Sequence, residues 1–205
     1  MISPPVVRTS LRAVLAWCLL SGAGFIFVRP ITVALLPLME AMVNGMQSDF
    51  KAHLFIEDQG SLMIALSCTT NRPFASSAGG FIPPDSSFSG GAVDAVHALV
   101  PLVIFLVAVA SWPINGWREA IGRAVGAVLL LPPVVALTTI VLLVGRVEHF
   151  LHHASIQSQS GFLLQPYVFM EEGGRWLVPL LAATFCTGVV TRLSRRSIVQ
   201  SRLQR

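Results

Sequence analysis

Glu148, His149, His152 and His153 fall within six residues of one another, in the run Arg-Val-Glu-His-Phe-Leu-His-His. If that run is helical, His149 and His153 share a face at a spacing of four. Glu148 and His152 form a second such pair, and His149 and His152 are three apart. Imidazoles and carboxylates at these spacings can share a divalent metal such as zinc. Asp94 and His97 have the same three-residue spacing and add ligands of the same kind. The plainer reading is a polar helix end among lipid headgroups. No complete HExxH or CxxC pattern accompanies the cluster.

Two further residues carry chemistry. Cys68 stands four residues before Arg72, and a nearby guanidinium favours the nucleophilic thiolate, with His97 or His149 as a base. Against this, cysteine most often fills the apolar face of a strand. Arg29 closes an apolar run. Such an arginine either extends to the headgroups or pairs with an acid such as Glu40 or one on a partner protein.

The elements that must position these residues are mostly apolar. The chain has 205 residues, of which 54% are hydrophobic and 12% charged. Soluble domains carry about 25% charged residues. A mean hydropathy of +0.71 points the same way, to an integral membrane protein. The three cysteines suggest no disulfide framework, because Cys18 and Cys186 lie in apolar runs. Arg192, Arg195, Arg196, Arg202 and Arg205 crowd the C-terminal end. Directly after an apolar segment they mark a cytoplasmic flank rather than a nucleic-acid surface.

Residues 94–153 form the organising stretch, two apolar runs around a short polar turn. They predict a transmembrane hairpin spanning at 95–112 and 124–145, the second run kinked by Pro132 and Pro133. Pro101 in the first run is tolerable if a neighbouring helix satisfies the carbonyl it frees. Residues 1–46 predict an uncleaved anchor at 13–28, then an interfacial helix carrying Leu35, Leu38, Met42 and Met46. Residues 47–93 predict an extracytoplasmic segment with a β-hairpin, strands at 52–57 and 61–69 around Asp58-Gln59-Gly60, then a Pro/Gly/Ser-rich loop. Residues 154–175 read as an outer loop, and 176–205 as a last span ending in the basic tail. The expected class is mainly α with four transmembrane helices and a small extracytoplasmic strand segment.

With four spans, nine arginines fall on the side of the termini and the hairpin turn, and five basic residues on the other. The positive-inside rule then places both termini in the cytoplasm, of a bacterial inner membrane if the host is bacterial. No P-loop, dinucleotide fingerprint or GxSxG motif appears.

The run LVPLVIFLVAVAS with its basic turn, the span VLLLPPVVALTTIVLLVGR and the segment GGRWLVPLLAATFCTGVVTRLSRR resemble the exosortase H-associated membrane proteins in order and in proline and arginine placement. The resemblance implies an accessory role, without catalysis or cofactor, beside a sorting transpeptidase that handles exported proteins. It carries no catalytic residues over, since the Cys and Arg set of an exosortase core has no match here. The expectation is therefore a membrane-lipid-embedded protein that binds a partner. The alternative is an outer-face enzyme, metal-dependent through the histidines or thiol-dependent through Cys68.

Overall fold

A computed structural model describes the backbone of residues 4–46, 48–58, 60–75, 81–114, 116–154 and 163–203. The chain is mainly helical with a small antiparallel sheet. Helix α1 (Pro4–Ile26) runs almost directly into α2 (Val28–Met46). Phe27 interrupts the assignment, yet its amide donates to the Ala23 carbonyl at 2.8 Å and its carbonyl accepts from Ile31 at 3.0 Å. Pro30 does not end the helix, because a proline in a first turn removes an amide that has little need of a partner.

Strands β1 (Phe50–Asp58) and β2 (Leu62–Thr70) form the expected hairpin, closed by Asp58 opposite Leu62 and turned through Gly60 at φ 83°. After a short ladder of β3 (Phe74–Ala75) and β4 (Phe81–Ile82), strand β5 (Ser87–Asp94) joins the far side of β2. The sequence reading made residues 87–91 a loop. Serine and glycine give no alternating apolar pattern, but the site needs their smallness. A Cβ on Gly90 would come within 2.9 Å of both Leu66 and Val147. Gly91, at φ 96°, takes the slip in register between Leu66 and Ser67.

Asp94 ends β5 and caps α3 (Ala95–Ser111), accepting from the amides of Val96 at 2.8 Å and His97 at 3.1 Å. After the turn comes one rod: α4 (Trp117–Val135), a π-helical turn at Ala136–Ile140, and α5 (Val141–Ala154). Pro132 and Pro133 lack the amides that continue an α-ladder. The Ala136 amide reaches both their carbonyls, and the backbone widens into the π turn just beyond. Helix α3 also continues through Pro101. The Thr139 hydroxyl of this rod donates to the Ala98 carbonyl at 3.4 Å, one residue from the carbonyl that Pro101 frees. Helix α6 (Leu164–Phe169) and a π turn at Met170–Gly174 occupy what reads in sequence as an outer loop, and α7 (Arg175–Leu203) closes the chain.

Three stretches are long and apolar enough to cross a membrane: Thr9–Ile26, Trp117–His149 and Leu164–Ser194; the apolar α3 is shorter. Helix α3 packs on α1, α4 and α7, and α4 packs on α7. The outward faces are apolar. Leu19, Phe25 and Ile26 of α1 are 72%, 72% and 73% exposed, and Val128, Leu129 and Phe185 stand out similarly. Water does not tolerate contiguous apolar surface of this extent, and lipid does. The helices are thus consistent with a membrane protein.

The core sits at one end of the rod. Phe50, Ala52 and Leu54 of β1 and Ile64, Leu66 and Cys68 of β2 turn the same sheet face inward. They meet Met39 and Val43 of α2 and Ile140, Leu143, Val144 and Val147 of the rod. The Trp117–His149 stretch is 33 residues, or roughly 50 Å at about 1.5 Å per residue. A bilayer core needs only about 30 Å. From Val134 onward most of its apolar residues are buried against protein rather than turned outward. The upper part of the run expected to span at 124–145 thus belongs to the sheet's core.

Candidate functional site

The start of the 94–153 stretch and its far end come together through residues beside the candidate cluster. Val147 of α5 closes on Gly90 of β5, and Arg146 Nη1 donates to the Ala92 carbonyl at 3.4 Å. Arg146 also pairs with Glu171 at 3.3 Å, tying α5 to the π turn before α7. Glu148 accepts from the Leu163 amide at 3.0 Å and so fixes the start of α6. His149 lies against Tyr167, ring centroids 6.0 Å apart. That helix comes so close that a Cβ on Gly145 would fall 2.4 Å from Tyr167.

Glu148 and His149 thus hold α6 on α5. The side chains of His152 and His153 lie outside the described residues. Among the described residues no group of three or more His, Cys, Asp and Glu could hold a metal ion. Asp94 is occupied as the α3 cap, and His97 Nδ1 sits 3.6 Å from its Oδ1. Neither makes a described contact with Glu148 or His149.

Cys68 is fully buried in β2, facing the core beside Ala52 and Phe88. Burial pushes its thiol up to about 12, so it stays protonated at neutral pH. Arg72 lies at the sheet's end and pairs with Asp49. The arginine that would have activated the thiol is engaged elsewhere, and the geometry gives Cys68 a packing role.

Arg29 is exposed on the first turn of α2. It does not meet Glu40, which is eleven residues on and about 16 Å up the same helix. Glu40 accepts from the Leu54 amide at 3.1 Å and lies 3.1 Å from His53 Nδ1. Four residues later, Asn44 accepts from the Ala52 amide at 2.8 Å and donates to the Ala52 carbonyl at 3.0 Å. These two side chains bond three backbone groups on the outer edge of β1, the Ala52 amide and carbonyl and the Leu54 amide, and so obstruct pairing there.

One polar constellation escaped the sequence reading. Glu119 and Arg123 form an ion pair with both side chains 3% exposed. Arg123 also donates to the Trp112 carbonyl at 2.9 Å and the Pro113 carbonyl at 2.7 Å, and Thr191 donates to Glu119 at 2.8 Å. The pair clamps the end of α3, the start of α4 and the far part of α7 together. In sequence Arg123 is simply the last residue of the short polar turn between the two apolar runs. The available signal was the four-residue spacing to Glu119, which puts both on one face of α4.

No family model, curated protein or solved structure matches the chain.

Proposed function

We propose that the protein is a four-span membrane protein that presents its small sheet domain, on the extracytoplasmic side, to a partner, and that it has no catalysis of its own. The supporting observation is the shared core. Because α5 continues the rod from the bundle into the sheet, and α2 continues α1, sheet and bundle are bound to one another by covalent helices and common packing. Such a domain is held at a set height and angle, which suits binding better than reach.

Charge supports the orientation. The side bearing the termini and the α3–α4 turn has nine arginines and one acid, Glu119; the other side has five basic residues and nine acids. The first side is cytoplasmic by the positive-inside rule, and the membrane is a bacterial inner membrane. The fourth span is α3, short for a bilayer but extended at its inner end by Trp112 and Pro113. Resemblance in the order of spans to the exosortase H-associated proteins supplies the partner's class, a sorting transpeptidase.

The test is a photo-crosslinking residue at Lys51, Ser87 or Glu171, three exposed outer positions, in cells that contain such an enzyme. The expected result is a crosslink to the transpeptidase from the outer positions and none from Arg118. If surface-protein sorting proceeds unchanged without this protein, or if His149→Ala, His152→Ala and His153→Ala together abolish it at constant protein level with loss of bound metal, the accessory reading fails.

A further inference from the structure

We propose that the cleft between α1 and α3 binds an anionic phospholipid of the surrounding bilayer, with an acyl chain along Trp17 and Phe25 and the phosphate at Arg29. The inference rests on the membrane reading above. The cleft measures about 320 Å³ and is walled by Trp17, Ser21 and Phe25 on one side and Leu99, Val100 and Val103 on the other. That is within the roughly 300–1,000 Å³ of ordinary ligand clefts. Its lining is almost wholly apolar, which suits a hydrocarbon chain.

What commits the occupant is the charge at its outer end. Ser21, Phe25 and Arg29 recur at a spacing of four, and across the one-residue break at Phe27 helical hydrogen bonds still run from Phe27 to Ala23 and from Ile31 to Phe27. Arg29 is therefore the next residue on the face that lines the cleft. Helical side chains lean toward the N-terminus of their helix, which here is back toward the cleft. Arg29 is exposed, and among the described residues it has no acidic partner; Glu40 is committed to β1. A guanidinium above an apolar cleft matches a phosphate above an acyl chain. A zwitterionic headgroup offers the same phosphate with a competing cation, so the anionic lipid is preferred. A partner helix fills the cleft equally well but leaves Arg29 without a counter-charge.

The experiment uses the full chain in lipid nanodiscs, with Trp112, Trp117 and Trp176 changed to Phe so that Trp17, 44% exposed, is the one reporter. Nanodisc lipids with brominated chains, phosphatidylglycerol or phosphatidylcholine, are the probes. Expected is quenching at a lower mole fraction of phosphatidylglycerol, by about tenfold, the factor one charge-assisted contact commands. Arg29→Gln should erase that preference and leave phosphatidylcholine quenching as it was, and Arg29→Lys should keep most of it. Ser21→Phe should reduce quenching by both lipids.

Equal quenching by the two lipids, or a preference that survives Arg29→Gln, overturns the lipid site and leaves the membrane reading standing. Quenching that fades as the protein-to-lipid ratio rises overturns it in favour of a second copy's helix. Release of the protein from native membranes by alkaline carbonate overturns the membrane reading itself, and the proposal with it.

Discussion

Burial decides what the reactive residue types do here. Cys68 has the chemistry of a nucleophile and the surroundings of a leucine. Its thiol is favoured as the neutral form in the folded chain, so the native state holds the proton more tightly than the unfolded chain. That contribution to stability is complete below the ordinary value of 9.0 and is lost as the pH climbs toward about 12. We expect Cys68 to resist alkylation at pH 8 in the native protein and to react once it is unfolded; rapid native labelling would show that the sheet opens. Glu119 and Arg123 present the opposite case, charged groups made to serve as an internal clamp. Glu119→Gln should cost about 3–5 kcal/mol, since it leaves a buried guanidinium without its counter-charge. A double change, Glu119→Gln with Arg123→Met, should cost less than the single one. Chemical denaturation in detergent micelles measures both, and a double variant as unstable as the sum of the singles would refute the coupling.

At the scale of elements, two exposures are managed by side chains rather than by more strand. The open edge of β1 is obstructed by Glu40 and Asn44 of α2. Asn44→Ala removes two hydrogen bonds to Ala52 and should destabilise by about 1–3 kcal/mol. Faster hydrogen exchange at the Ala52 amide would locate the effect, and an unchanged rate would contradict it. At the sheet's other side, β5 and α5 approach so closely that only glycine fits at position 90. Gly90→Ala should cost about 1–3 kcal/mol by overpacking against Leu66 and Val147, read as a lower midpoint of unfolding. The hairpin turn was legible because Asp58-Gln59-Gly60 sits between two apolar runs. Strand β5 was not, because its identity as a strand lies in the partner it pairs with and not in its own side chains. The clamp was missed for a related reason: spacing puts Glu119 and Arg123 together, but only α7 packing over them makes them buried.

For the molecule as a whole, the orientation is the first thing to measure. Because Cys68 is buried, the label must be placed at an exposed position such as Ser87→Cys, in a background with the native cysteines changed to alanine. An impermeant maleimide should react with it in intact spheroplasts, and reaction only after lysis would invert the topology. The amino-acid sequence by itself determined the apolar runs, their order, the placing of the arginines along the chain and the β1–β2 hairpin. These are local properties, written in composition and periodicity. Tertiary structure decided where those runs spend their apolarity. An apolar helix looks the same in sequence whether lipid or a sheet covers it, so the rod from Trp117 to Ala154 could not be divided beforehand. In the folded chain Ile121, Val125, Val128 and Leu129 turn outward, while Ile140, Leu143, Val144 and Val147 build the core under the sheet. The candidate site was divided in the same way. Glu148, His149, Asp94 and Cys68 were found by residue type, and packing partners then made the first two a brace for α6, the third a helix cap and the fourth part of the core.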